Sequence, residues 1–262
     1  MKGSAGCFAF IALWLASALA LAEPAVSPSL RIGFTTVDSY PYFSGSGEEI
    51  PEPPGMAVEL ARDAARRAGL RLTLVRLPQH RIFLELQKGG LDGAMVFSYL
   101  PERALDNVYP WRDGVPYRDW RIGTLTYVLY KRSDSPLTWD GQAFGGLHGK
   151  IGYNTGWSIG RDLEKYGVPL EEAHSTEQNF GKLVLGRIAG FALMRELGDA
   201  YIARTGLRDI ERLPAPLAVK DYFVIFSKGF YQANTGLVEA FWAHLGEARE
   251  ENEARLWERY AE

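Results

Sequence analysis

The strongest constraint on this chain is a repeated alternation of short apolar runs with helical patterns. Leu30 to Thr36 (LRIGFTT) reads as a strand, and Met56 to Ala68 as a helix with apolar positions at Met56, Leu60, Ala61, Ala64 and Ala68. Pro53-Pro54 precedes that helix and Gly69 follows it, as start and stop signals do. Leu70 to Leu77 alternates apolar and polar residues like a strand, Pro78 opens a second helix (RIFLELQK) ended by Gly89-Gly90, and AMVFS at 94 to 98 is the next buried strand. The order β-α-β-α-β implies a mostly parallel sheet with helices on its faces.

After Gly123 the pattern changes to a long apolar and aromatic run, TLTYVLYK, followed by the polar loop RSDSPLTWDGQAFGG. A second series starts at Lys150: IGYN as strand, a Gly-rich turn, the helix IGRDLEKY stopped by Gly167, and FALM at 191 to 194. Beyond Pro214-Ala-Pro216 come the buried strand DYFVIFSK and a helical tail from Leu237 to Tyr260, with Leu237, Phe241 and Leu245 on one face. The expected organisation is two α/β lobes joined by two crossing segments. Residues 23–125 and 215–262 form lobe 1, residues 126–214 form lobe 2, and the chain crosses near Thr126 and returns near Pro214.

Charge and cysteine content remove several function classes. The 262 residues carry 29 Lys+Arg against 32 Asp+Glu, a net charge of −3, and no long basic run. Nothing marks a nucleic-acid site or an anionic membrane surface. A single Cys excludes a disulfide framework and a Cys-based zinc site, and His80, His148, His174 and His244 have no ligand-like spacing. The reading calls for no metal and no cofactor.

Residues 1–22 have the layout of a cleaved signal peptide: Lys2 as the only charge, an apolar stretch from Phe8 to Leu21, and Ala20-Leu21-Ala22 ahead of Glu23. The alternative is a membrane anchor, but the apolar run is shorter than the ~20 residues a span needs. Cys7 lies inside this segment, so the mature chain would hold no Cys, which suits a bacterial periplasm.

Three groups of residues could carry chemistry. Gly156-Trp157-Ser158-Ile159-Gly160 matches G-x-S-x-G between a strand and a helix, so Ser158 could be a hydrolase nucleophile with Asp199, Asp209 or Asp221 and His244 following it. The same turn could make Ser158 a helix N-cap, or hold an anion without catalysis. Ser98 to Arg103 follows the strand AMVFS, at the carboxyl end of a sheet strand where open α/β sheets bind ligands, and Arg103 could fork two bonds to a carboxylate. Tyr40, Tyr42 and Phe43 follow the first strand, with Trp111, Tyr117 and Trp120 later; such aromatics stack on ligands or pack the core. Arg62, Arg66, Arg67, Arg71, Arg76 and Arg81 read as a solvated face, and Glu48, Glu49 and Glu52 give no basis for an acid/base pair.

The blocks GMAVELARDAARRAGLRL, FLELQKGGLDGAMVFSYLPER, LHGKIGYNTGWS, GRIAGFALM and DYFVIFSKG, in that order, resemble the family 3 bacterial extracellular solute-binding proteins, receptors associated with polar amino acid uptake. The resemblance spans essentially the whole mature chain. It implies a periplasmic-binding-protein-like fold whose two crossing segments form a hinge and whose lobes close on a small ligand. SYLPER resembles the family's T-x-T-P-E-R block, whose Arg holds the ligand α-carboxylate; Arg103 and Ser98 match it, while Leu100 stands at the second hydroxyl. The family's Gly-Thr-Thr turn, which gives backbone N–H groups to that carboxylate, is similar to Gly156-Trp157-Ser158, with Trp157 in a Thr place. The acidic positions that neutralise the ligand ammonium fall nearest Thr35 and Met194, and Ala189 replaces the Asp of the GRID-like block.

The expectation is a periplasmic, monomeric solute-binding protein. It would capture a small organic solute, carboxylate-bearing and amino-acid-like, and serve an ABC permease or a membrane sensor. Tyr40, Tyr42, Ser98, Arg103, Gly156, Trp157, Ser158 and Met194 would form its site. Two rivals stand beside it: an enzyme, either a Ser158 hydrolase or a dehydratase on the same scaffold, and a ligand-free interaction module whose aromatics fill the cleft.

Overall fold

The computed structural model describes residues 27–260; the expected signal segment, with Cys7, lies outside the described residues. The first half runs β1 (Ser29–Thr35), α1 (Met56–Arg67), β2 (Arg71–Leu77), α2 (Gln79–Lys88), β3 (Gly93–Ser98) and α3 (Pro101–Ala104), then the short strands β4 (Asn107–Val108), β5 (Trp111–Arg112) and β6 (Val115–Pro116). β7 (Gly123–Arg132) leads to β8 (Thr138–Trp139), β9 (Phe144–Gly145), β10 (Ile151–Asn154), α4 (Ile159–Glu164), β11 (Leu170–Ala173), α5 (Thr176–Val184), β12 (Gly190–Met194), α6 (Arg195–Thr205) and β13 (Ile210–Arg212). β14 (Ala218–Ser227), α7 (Lys228–Ala233) and α8 (Thr235–Tyr260) complete the chain.

The sheet order β11-β10-β12-β7-β14-β3-β1-β2 shows how the two series are joined. Each series is parallel within itself: β1 pairs with β2 and β3, and β10 pairs with β11 and β12. The expectation of a mostly parallel sheet is corrected at the centre, where β12, β7, β14 and β3 are antiparallel neighbours. The reason is the route of the chain, which enters one half along β7 and leaves it along β14, in opposite directions. Residues 123–127 of β7 pair with 218–222 of β14, and each strand then diverges to its own half, β7 to β12 and β14 to β3.

Periodicity accounts for the core. Leu30, Ile32 and Phe34 of β1 are buried while Arg31 between them is exposed, the period of two that a pleated strand imposes. The buried face of α1 is rich in small residues (Ala57, Ala61, Ala64 and Ala65), which lets α8 lie close along it with Val238, Phe241, Trp242 and Leu245 turned inward. Gly55 opens α1 at φ 104, where a Cβ would stand 2.4 Å from the carbonyl oxygen of Tyr42. Only glycine fits both the backbone and the space.

One expectation about surface charge is overturned. Arg76 is 3% exposed, and its guanidinium donates to the carbonyls of Thr35, Ser44, Gly45 and Glu49 at 2.5–3.2 Å while lying over the Phe34 ring. It ties the end of β1 to three carbonyls of the loop that follows and so holds that loop in shape. Burial lowers its pKa, opposed by Asp38. Among the described residues no helix is long and apolar enough to cross a membrane.

Candidate functional site

The carboxyl ends of β3 and β10 meet across a seam between the two halves of the sheet. β3 carries a bulge: Phe97 pairs with Phe223 and Met95 with Val224, leaving Val96 as the extra residue at φ 65. A β-branched residue is strained there. The bulge breaks the period of two, so Met95, Val96 and Phe97 all line the same cavity.

Opposite them, the turn after β10 is held by a buried amide pair. Asn179 donates through Nδ2 to Asn154 Oδ1 at 2.9 Å, and Asn154 Nδ2 donates to Thr176 Oγ1 at 3.0 Å. Gly156 takes φ 76, a conformation that favours glycine, and its carbonyl points across the seam. There it accepts from Gln79 Nε2 at 2.7 Å and from Arg103 Nη2 at 3.1 Å. Ser98 Oγ donates to Ser158 Oγ at 2.8 Å, and Lys220 of β14 donates to the Ser158 carbonyl at 3.1 Å and hydroxyl at 3.0 Å. Ion pairs Arg161–Glu102 at 2.7 Å and Arg204–Asp38 at 3.6 Å also span the two halves. The cleft is closed by direct bonds.

Inside the seam lies a cavity of about 50 Å³. That is room for roughly three to five waters, so the aromatics do not fill the cleft. Tyr42, Arg103, Trp157, Ser158 and Met194 line it, as does Thr35. Trp157 stands edge-on to Tyr127, with ring centroids 6.4 Å apart. Among the described residues Arg103 is the only ionised side chain in the lining, and no carboxylate is there. Its Nη1 donates to the Ser98 carbonyl at 3.1 Å, and its plane lies near Phe97 and Phe83. Among the described residues its guanidinium meets carbonyl and hydroxyl oxygens and no carboxylate.

The remaining expected site residues fall elsewhere. Ser98, 2% exposed, stands behind the cavity wall and fixes the seam, and Gly156 acts through its carbonyl. Tyr40 is not in the lining; its hydroxyl donates to the Tyr260 carbonyl at the end of α8, because the loop after β1 turns that ring toward the helix. Ser158 makes no side-chain cap to α4, since its hydroxyl is taken by Ser98 and Lys220. The hydrolase constellation is not assembled: His244 pairs with Glu247 on α8, Asp199 with Tyr130 and Arg212, and Asp221 with Thr124, Arg118 and Arg121.

Sequence reasoning missed Gln79, Tyr127, Tyr222 and Lys220. The Tyr127 and Tyr222 hydroxyls meet at 2.7 Å in the cavity wall, and burial pushes both phenols, and that of Tyr42, above the usual tyrosine range. They are neutral hydrogen-bond donors at ordinary pH. Burial lowers the pKa of Lys220, against the opposing pull of Asp162. On the outer side of the Ser98–Ser158 contact is a wide groove lined by Tyr99, Pro101, Glu102, Pro116, Arg161, Asp162, Lys165, Lys220, Asp221 and Phe223.

No protein-family model matches the sequence, and neither does any curated protein. Solved structures do match in three dimensions. A histidine kinase sensor domain with similarity to periplasmic binding proteins superposes with a TM-score of 0.70 at 18% identity, covering 89% of this chain and 96% of that one. The arginine-, lysine-, histidine-binding protein ArtJ of Geobacillus stearothermophilus gives 0.68 at 16% identity, covering 88% and 94%. The substrate-binding protein of an amino acid ABC transporter gives 0.67 at 17% identity, covering 88% and 98%. The fold is therefore the mixed α/β, two-lobe arrangement of the periplasmic-binding-protein-like proteins. The solved neighbours named here are binding and sensor proteins.

Proposed function

We propose that this chain is a periplasmic solute-binding protein, exported by cleavage of residues 1–22, that captures a small organic carboxylate between two lobes. Lobe 1 comprises residues 23–125 and 215–262, lobe 2 residues 126–214, and the crossing strands act as the hinge. The protein works as a monomer without cofactor, and its closed form is what an ABC permease or a membrane sensor reads. The observation that carries this reading is Arg103: a half-buried guanidinium with no carboxylate partner among the described residues, lining the cavity at the seam. A cation so placed gains a charge-assisted pair of bonds when a carboxylate arrives.

A thermal-shift screen of refolded, ligand-stripped protein against organic acids and amino acids tests it. A ligand at about 100 times its Kd adds about 2.7 kcal/mol, a rise of about 5 to 10 °C for a chain of this size. Arg103→Ala is expected to weaken binding of the best ligand by about 2 to 5 kcal/mol. Unchanged affinity in calorimetry removes Arg103 from the site, and silence across the whole screen removes the binding reading.

A further inference from the structure

We propose that the solute is a short-chain monocarboxylate without an ammonium group, of about two to four carbons, and that Trp157 sets this size limit. The inference rests on the binding reading above and sharpens it. The first half of the argument is charge. The cavity wall offers one cation, Arg103, no anion, and the neutral hydroxyls of Tyr42, Tyr127 and Tyr222. The Nη1 group of Arg103 is engaged by the carbonyl and hydroxyl of Ser98, at 3.1 and 3.4 Å, and one Nη2 hydrogen by the Gly156 carbonyl. The Nε hydrogen and one Nη2 hydrogen have no partner among the described residues, which leaves the guanidinium donors for a carboxylate. The Tyr127 and Tyr222 hydroxyls, 2.7 Å apart, stand in the same wall as Arg103. An ammonium would meet no carboxylate in the wall, and a desolvated cation without a counter-charge is expelled.

The second half is size. The volume belongs to the closed cleft, because Ser98–Ser158, Arg103–Gly156 and Gln79–Gly156 already bond the lobes to each other. About 50 Å³ is available there, a third of the ~150 Å³ cavity that accommodates benzene. A carboxylate with one to three further carbons fits, and a ring does not while these bonds hold. Trp157 is the large side chain that projects into this space from the turn carrying Gly156 and Ser158, half-buried and braced edge-on by Tyr127.

The experiment is isothermal calorimetry on the ligand-stripped chain with four probes: propionate, pyruvate, alanine and phenylacetate. The expected result is binding of propionate or pyruvate, alanine at least about tenfold weaker although its carbon count is the same, and no heat from phenylacetate. Trp157→Ala is expected to admit phenylacetate and to weaken propionate by about tenfold; Trp157→Leu serves as the second variant if the Ala form does not fold. Alanine binding as tightly as propionate overturns the charge argument and leaves the solute-binding reading standing. Phenylacetate binding the unaltered chain as tightly as propionate overturns the size argument. If none of the four binds while another amino acid does in the wider screen, this inference fails alone; if nothing in that screen binds, the solute-binding reading fails with it.

Discussion

The two sides of the Ser98–Ser158 contact are built on opposite electrostatic plans. Inside, the cavity is walled by aromatic and aliphatic side chains with Arg103 as its lone charge. Outside, the groove is crowded with charges, and they are matched: Arg161 with Glu102 and Glu164, Lys165 and Lys220 with Asp162, Asp221 with Arg118 and Arg121. The groove is the larger space by about tenfold, 570 against 50 Å³, yet size is a poor guide to binding here. A charge that is already paired is satisfied, whereas a guanidinium with no carboxylate partner among the described residues still has donors to offer an anion.

Titration offers the largest test of that contrast. The phenols of Tyr42, Tyr127 and Tyr222 have folded pKa values raised above 10.0 by burial. Their contribution to stability is therefore fully present below pH 10 and is lost as pH climbs from there toward the folded values. Lys220 runs the other way: its folded pKa is lowered below 10.5 by burial, so its cost fades as pH rises through that window. Three phenols outweigh one lysine, and Tm should fall steeply above about pH 10, with exposed tyrosines such as Tyr99 and Tyr166 ionising first and the share of tyrosinate absorbance from Tyr42, Tyr127 and Tyr222 appearing only as the fold is lost. Native protein whose cavity tyrosines ionise near pH 10 with the fold intact would break the picture of a buried phenolic wall.

Next in size is a pair of contrasting losses. Lys220→Met removes a charged donor from Ser158 and Asp162 and should cost about 1 to 3 kcal/mol of stability in urea unfolding, while changing ligand affinity by less than about threefold. Arg103→Ala should do the reverse, costing affinity and little stability. Equal effects of the two substitutions on affinity would mean that cavity and groove are one site. The smallest effect is expected at the rim: Arg161 and Glu102 are 57% and 53% exposed, so Glu102→Gln should shift the open–closed balance, read by small-angle scattering, by no more than about 1 kcal/mol, and less at high salt.

The sequence was informative where contacts are local and poor where they are not. Strand β1 and helix α1 are legible because their apolar positions repeat with the period of the element they form, and β3 because it is a short, unbroken apolar run. β11 (LEEA) was not, being a polar strand at the sheet edge, and α5 escaped notice although its start carries a readable signal. Ser175 caps the Gln178 N–H at 3.1 Å and the Gln178 side chain returns to the His174 N–H at 3.1 Å, a variant of the capping box. Arg76 was misread because its four carbonyl partners lie 27 to 41 residues away. Lys220 and Gln79 reach the turn at 156–158 over 62 and 77 residues. Arg103 is legible from its place after the strand AMVFS, Trp157 from the Gly156–Gly160 turn and Met194 only through block resemblance, and all three line the cavity, whereas the bulge at Val96 has no sequence mark at all.

The ladder between β7 and β14 has a mechanical consequence. Two separate ribbons would let the lobes swing about a few loose residues. Here the crossing strands are laced together from Gly123 to Tyr127 and from Ala218 to Tyr222 inside a sheet that continues on both sides, and neither contains a left-handed residue. Under the two-lobe binding reading such a joint would act as a leaf spring, with opening spread as small changes in twist along ten-residue strands instead of gathered at a single pivot.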